Sequence, residues 1–388
     1  MLETTNQAQT VFARIQALHD AEVEANRTPV TATDVPLSYE AINDTWLTAA
    51  LCEEIPGAKV VGHRLGLVDD GTTNRRRLEV DYNEAGRKAG LPERLFCKAS
   101  FGVSNRFSLG PVGALAAEVD FYKSVRPHLE IEATEGVFAV INEAYNSVIM
   151  LKDISESVTE FCDHKTVMTR DRAESQMRLL GAFHGASASN PAIVAAHPKF
   201  RSFYDFFHGT KLFGLDLGAQ GGFAAASELI PARTYARQSE VWPATEEAVA
   251  RADRRSQTLT HGDVHLKNWY VAGNGEMGLS DWQCTTRNHW GRDLSYALGT
   301  ALTIADRRAW ERDLITMYLD ELSRHGGPSV GFDDAWTIYR EQMLPALAWW
   351  TITFNPAPGM PDMQPLPTSI EFVTRLGTAV DDLESLDA

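Results

Sequence analysis

Three side-chain oxygens between residues 259 and 283 stand at spacings that suit a single reaction. Leu259-Thr260-His261-Gly262-Asp263-Val264-His265-Leu266-Lys267-Asn268 is followed by Leu279-Ser280-Asp281-Trp282-Gln283. Asp263, Asn268 and Asp281 are the chemical candidates. The intervening Trp269-Tyr270-Val271, Gly273-Asn274-Gly275 and Met277-Gly278-Leu279 read as strand, turn and strand. A hairpin returns its end to its start, so Asn268 and Asp281 are expected to converge. Phosphoryl transfer asks for such a set: a carboxylate to orient an attacking hydroxyl, and hard oxygen ligands to hold Mg²⁺ against phosphates. Asp263 suits the first task and Asn268 with Asp281 the second. One amide and one carboxylate supply metal oxygens without the excess negative charge that would repel ATP. The plainer use of Asp263 and Asn268 is turn formation, with Asp281 a strand-end carboxylate.

The pattern HGDxHxxN, then an apolar strand and an Asp, resembles the aminoglycoside phosphotransferase and choline kinase family, a small-molecule branch of the protein-kinase-like fold. Asp281-Trp282-Gln283 is more similar to the ecdysteroid-kinase-like subgroup than to the antibiotic kinases. The resemblance is strong over 258–298 and looser from Trp46 onward; residues 1–35 lie outside it. It implies an α+β, two-lobed fold: a small antiparallel-sheet N-terminal lobe and a larger, mainly helical C-terminal lobe. It implies ATP and Mg²⁺ as cofactors, Asp263 as catalytic aspartate, and Asn268 and Asp281 as metal ligands. His261 would brace the loop, and Asp293 in Gly291-Arg292-Asp293-Leu294 would support it.

A kinase site also needs a cation on the phosphates and an anion to hold that cation. Lys98 stands in the apolar strand Leu95-Phe96-Cys97-Lys98-Ala99, and Glu118 in the helix that follows. The pair matches the family's strand lysine and helix glutamate. No GxGxxG turn precedes them. Asp69-Asp70-Gly71-Thr72-Thr73-Asn74 occupies that place, and two uses stay open for it. The backbone N–H groups of Gly71, Thr72, Thr73 and Asn74 could cup phosphates, or the segment is an ordinary hairpin turn. Val148 to Ile154 resembles the connector between lobes, which makes Met150 and Leu151 candidate adenine contacts.

These residues need particular elements to position them. An amphipathic helix is expected over 5–27, then a polar link. Ser38 precedes a helix carrying Ile42, Trp46, Leu47 and Leu51. Strands are expected over 59–67, 77–82, 94–100, 137–145 and 147–151, with a helix over 114–125. Beyond Lys152 the pattern turns helical: 171–188, 231–253, 307–325, 332–350 and 368–386, interrupted by the strand-rich island 258–281. The expected domains are a helical extension (1–36), a nucleotide-binding lobe (37–153) and a catalytic, acceptor-binding lobe (154–388).

The bulk numbers bound the partners. A chain of 388 residues exceeds what one core usually serves. Its 36 Lys and Arg against 52 Asp and Glu give a net charge of −16, which repels nucleic acid and anionic membrane surfaces. The four cysteines, Cys52, Cys97, Cys162 and Cys284, form no CxxC pair, so a reducing cytoplasm is expected rather than a zinc site or disulfide framework. Met1 to Arg27 is polar and mixed in charge, unlike a secretion signal. The expected partner is a small-molecule hydroxyl acceptor. Trp282, Trp290, Trp310, Trp336, Trp349 and Trp350 serve either core or an apolar acceptor pocket. The loop Asn355 to Pro361 could pass that pocket. Asp362 and the Asp381/Asp382 pair are the carboxylates that a polycationic acceptor would use, unless the terminal pair is a solvated helix face. A partly apolar alcohol is the leading acceptor, with a hydroxyacyl thioester or an aminoglycoside as alternatives. A catalytically inactive nucleotide-binding protein is the rival outside enzymes. The HRD-type loop, Asp-Phe-Gly and Ala-Pro-Glu segments of protein kinases are absent.

Overall fold

The structure, a computed structural model, describes residues 2–356 and 364–388. The chain forms two compact units: Met1–Pro127 with Thr134–Glu156, and His128–Ala133 with Ser157–Ala388.

Unit 1 begins with helix α1 (Leu2–Ala25) and α2 (Asp44–Leu51). Asn43 caps α2 by accepting from the Trp46 N–H at 3.0 Å, so the helix starts six residues after Ser38, which instead caps a short 3₁₀ turn. Strands β1 (Val60–Leu65), β2 (Asn74–Tyr82), β3 (Arg94–Ala99), β4 (Gly136–Ile141) and β5 (Ser147–Lys152) form one antiparallel sheet in the order β1-β2-β3-β5-β4. β5, Ser-Val-Ile-Met-Leu-Lys, is almost wholly apolar because it is interior and covered on both faces. Helices α3 (Glu84–Lys88), α4 (Val103–Leu109) and α5 (Ala114–Ser124) complete the unit.

Strand alternation divides the sheet's two faces. Leu95, Cys97, Ala99, Val148 and Met150 join Trp46 and Leu47 of α2 in one core. Lys98, paired in register with Ile149, points the opposite way, toward α5. At the outer edge, α1 is tied to α4. Phe12 meets Phe107 edge-on at 5.3 Å, and the Glu22 carboxylate accepts from the buried Arg106 guanidinium and the Asn142 amide.

Unit 2 carries β6 (Val158–Phe161), then α6 (Arg170–Ser189), capped by Thr169. Helices α7 (Pro191–Ala196), α8 (Phe203–Gly209), α9 (Leu215–Ala225), α10 (Ala232–Tyr235) and α11 (Gln238–Asp253) follow. Next come the short strands β7 (Thr258–Thr260), β8 (Trp269–Ala272), β9 (Met277–Leu279) and β10 (Thr286–Asn288). α12 (Gly291–Ala301), α13 (Ile304–Arg324), α14 (Phe332–Thr351) and α15 (Leu366–Asp382) close the unit. α13 packs along α6, and α12, α14 and α15 pack on one another. The strands make two small sheets, β6-β8-β9 and β7-β10. Among the described residues no helix is long and apolar enough to cross a membrane.

Candidate active site

In unit 2 the loop from Thr260 to Asn268 is suspended between the two small sheets. Thr260 ends β7, which pairs with β10 (Thr260 opposite Thr286). Asn268 leads into β8, and Trp269 faces Leu279 across the hairpin. The Ser280 N–H and hydroxyl both donate to the Asn268 carbonyl, each at 2.9 Å. The turn therefore sets residue 281 one step beyond the partner of residue 268. Asp281 adopts φ +64°, ψ +67°, a left-handed conformation uncommon outside glycine and a mark of constraint at sites.

Within the loop, nearly every polar group has an assigned partner. The Asp293 carboxylate on α12 accepts from the His261 N–H at 2.6 Å, the Gly262 N–H at 2.9 Å and His184 Nε2 at 3.1 Å. Burial opposes its charge, but the contacts with His184 and the Gly262 N–H together hold the carboxyl below the usual carboxylate range. His184 is completed by the Tyr318 hydroxyl at 2.8 Å, so it is a structural histidine rather than a ligand. His261 Nδ1 accepts from the Asp263 N–H at 3.2 Å. Its proton therefore sits on Nε2, which donates to the Ser280 carbonyl at 2.9 Å. Burial lowers the basicity of His261 and keeps it neutral. Gly262 stands at φ +80°, where a Cβ would lie 2.4 Å from the Cys284 carbonyl oxygen, so only glycine fits.

Asp263 projects from this frame with its side chain 16% exposed. Oδ1 accepts from the Tyr296 hydroxyl at 2.9 Å, and Oδ2 lies 3.5 Å from His265 Nε2. Burial works against its charge, but His265 and Tyr296 together hold the carboxyl well below its ordinary range. The Asn268 amide nitrogen donates to the Asp263 carbonyl at 2.7 Å, which turns Asn268 Oδ1 away from that carbonyl. Asn268 Oδ1 and the Asp281 carboxylate are two hard donors. Among the described residues no group of three or more His, Cys, Asp and Glu could hold a metal. An Asn with one Asp fits a magnesium ion that takes its remaining ligands from phosphates and water.

In unit 1, Lys98 Nζ meets Glu118 Oε1 at 2.7 Å, with the lysine side chain 9% and the glutamate 2% exposed. The pair joins β3 to α5. The other expected nucleotide contacts fare differently. Met150 faces the α2 core, opposite the side that carries Lys98, and only Leu151 shares the Lys98 side. β5 has hydrogen-bonded neighbours on both edges, so the backbone at Met150 and Leu151 is engaged in the sheet rather than offered to an adenine edge. The 69–74 segment closes on itself as a turn. The Gly71 N–H donates to the Thr73 carbonyl at 2.9 Å, and the Asn105 amide holds the Thr72 carbonyl at 2.8 Å. Thr73 is buried, and Asn74 starts β2 with its side-chain oxygen on the Phe101 N–H at 3.1 Å. The Gly71 N–H and the Asn74 side-chain oxygen are thereby committed within the unit.

The acceptor-side expectations divide too. Trp350 is buried and Trp349 half-buried, as adjacent residues on one helix require. Asp381 is taken up by Arg233 and Thr234, and Asp382 by Arg307 and Arg308. Most of Asn355–Pro361, and Asp362, lie outside the described residues. Tyr296 is the contact that sequence reasoning missed at Asp263, with the Trp350 indole behind it on the Tyr296 hydroxyl. The spacing held a signal: Tyr296 follows Asp293 by three, which puts both on one face of α12.

The sequence profile of the ecdysteroid kinase-like family matches residues 70–326. No curated protein matches the chain. Among solved structures, a protein from Ralstonia eutropha JMP134 described as a "putative aminoglycoside phosphotransferase" is 12% identical. The match covers 87% of this chain and 96% of that one, at a TM-score of 0.52. Spectinomycin phosphotransferase in complex with ADP and spectinomycin is also 12% identical, with 89% and 99% covered and a TM-score of 0.47. Ethanolamine kinase of Plasmodium vivax is 8% identical, with 82% and 81% covered at 0.45. At such identities the likeness concerns the fold, which is α+β and of the two-lobed, protein-kinase-like kind. The profile match spans more than half of the chain and includes the Asp263 loop, the hairpin and the Lys98–Glu118 pair; the chain belongs to the ecdysteroid kinase-like family.

Proposed function

We propose that this protein transfers the γ-phosphate of ATP to a hydroxyl group of a small, partly apolar molecule. Family membership supports a small-molecule phosphotransferase. The observation that carries the chemical reading is the Asp263 loop. A carboxylate is kept ionised by its neighbours and hydrogen-bonded through its carbonyl to Asn268, whose own carbonyl accepts from the residue before Asp281. Asp263 orients the acceptor hydroxyl. As that oxygen bonds to the γ-phosphorus, the bond to the β–γ bridging oxygen breaks, ADP leaves with the electron pair, and the hydroxyl proton passes to the carboxylate. Asn268 and Asp281 are the residues that would hold Mg²⁺, which supplies charge neutralisation on the phosphates. Lys98, fixed by Glu118, is the cation assigned to the nucleotide phosphates.

An apolar acceptor is supported by two features of unit 2. Asp381 and Asp382 are paired with the chain's own arginines, which takes them from a cationic acceptor. Leu215, Ala219, Ala348 and Ile352 form a small apolar cluster with Phe213, Trp242 and Trp349 half-buried on it. The test is a coupled ADP-release screen over hydroxylated steroids, other hydroxylated metabolites, hydroxyacyl thioesters and aminoglycosides. It is run with native protein and Asp263→Ala. The expected result is turnover of an apolar alcohol that Asp263→Ala abolishes while Mg-ATP binding persists. Undiminished turnover in the variant would falsify the role of Asp263, and preference for aminoglycosides would overturn the apolar acceptor.

A further inference from the structure

Tyr296 is fully buried on α12, and its hydroxyl has two partners. It lies 2.9 Å from Asp263 Oδ1 and 2.7 Å from the indole Nε1 of Trp350 on α14. An indole N–H can only donate. The single phenolic proton must then point at Asp263, so the relay runs one way, from Trp350 to Tyr296 to the carboxylate. The ring is clamped as well: the Arg292 guanidinium stands 4.6 Å from its centroid and donates through Nη2 to the Gly262 carbonyl at 3.2 Å.

The two oxygens of Asp263 are consequently unequal. Oδ1 is taken by the Tyr296 hydrogen bond at 2.9 Å. Among the described residues Oδ2 has only long approaches, 3.4 Å from Asn268 Nδ2 and 3.5 Å from His265 Nε2. The terminal torsion of an aspartate is broad and weakly restrained by itself. Something must choose which oxygen meets the substrate.

We propose that Tyr296 and Trp350 are positioning residues that anchor Oδ1 of Asp263 so that Oδ2 is the oxygen presented to the acceptor hydroxyl. The proposal rests on the reading of Asp263 as the orienting carboxylate. Neither residue touches the reacting atoms. They act by removing a rotation, and misplacement of an attacking group by about 1 Å costs on the order of 100-fold in rate.

The experiment uses the full chain, Mg-ATP as nucleotide and water as the acceptor, read as slow ADP release, together with any alcohol that the screen yields. Tyr296→Phe keeps the ring and its packing and removes only the hydroxyl. Its kcat is expected to fall about 10- to 100-fold, with KM for ATP nearly unchanged. Trp350→Phe should fall less, and the double variant no further than Tyr296→Phe alone. A second readout needs no turnover. The indole N–H cross-peak of Trp350, identified by its loss in Trp350→Phe, should move in Tyr296→Phe and in Asp263→Asn. A cross-peak that stays put in Tyr296→Phe shows that the relay is absent and overturns the proposal. A cross-peak that moves while kcat holds overturns the positioning role. An effect of Asp263→Ala without one of Tyr296→Phe sinks this inference alone, whereas no effect of Asp263→Ala sinks the phosphotransfer reading itself.

Discussion

At the scale of single residues, the loop around Asp263 depends on one missing methyl group. Gly262 combines a left-handed backbone with a Cβ position already filled by the Cys284 carbonyl oxygen at 2.4 Å. Gly262→Ala should therefore pay twice, about 1 to 2 kcal/mol for the backbone and a comparable amount for displacing the segment after Asp281. The expected result in chemical denaturation is a loss of roughly 2 to 4 kcal/mol. ADP release should fall further than stability alone explains, because the same shift misplaces Asp263. Retained activity with full stability would show that the loop tolerates a different path. The residues around this glycine were the most legible part of the chain. Their spacing is local, and a hairpin is a short-range object that a run of Gly-Asn-Gly announces. Tyr296 and Trp350 were not legible, because their bearing on Asp263 arises from the packing of α12 and α14, and an aromatic on a buried helix face looks the same whether or not its polar tip is used.

At the scale of elements, alternation and capping located most strands and the long helices. α3, α7, α8, β10 and the buried α12 were not foreseen, and three further misses, β6, α4 and α9, show the physical reasons. β6 is four residues long, and it becomes a strand only by pairing with β8, more than a hundred residues away. α4 is a seven-residue helix without a side-chain cap, too short to show a period. α9, Leu-Asp-Leu-Gly-Ala-Gln-Gly-Gly-Phe-Ala-Ala, reads as loop because glycine weakens a helix by about 1 kcal/mol relative to alanine. The glycines are there for closeness. A Cβ on Gly222 would lie 1.8 Å from the Thr351 carbonyl oxygen, and one on Gly218 3.0 Å from that of Asn355. Gly222→Ala gains helix propensity but must push α9 off the end of α14. The expected net effect is a destabilisation of about 2 to 3 kcal/mol, seen as a lowered melting temperature. An unchanged or raised one would mean that α9 sits less tightly than this geometry requires. The nucleotide-side contacts were the least legible. Apolar sequence at Met150 and Leu151 is equally good for an interior strand, and only the two-sided pairing of β5 distinguishes the uses.

At the scale of the whole molecule, buried neutral histidines set the response to acid. Burial, with Arg255 and His184 nearby, pushes His289 down from 6.5 to about 3, and burial lowers His261 as well. The unfolded chain takes up a proton at His289 below about pH 6.5, and the folded chain does not until about pH 3, with His261 displaced in the same direction. Stability therefore declines as pH falls from 6.5 toward 3, by up to about 1.4 kcal/mol per pH unit for His289. Asp263 and Asp293 have the opposite displacement and the same consequence at lower pH. Their contribution is complete above the ordinary carboxylate value of 3.8 and is lost as pH drops through their depressed values. Urea melts at pH 7.5, 6.0 and 5.0 should show a falling midpoint, with a shallower fall in His289→Asn. A flat response across that interval would mean that His289 is already protonated in the folded chain.

The Glu22 carboxylate has an implication for how this sequence can change over descent. It grips Arg106 and Asn142, so three stretches distant in the chain share one charge. Loss of Glu22 would leave the fully buried Arg106 guanidinium without its neutralising carboxylate. Drift at positions 22 and 106 should accordingly be concerted, with lineages that abandon the acid also abandoning the guanidinium it neutralises.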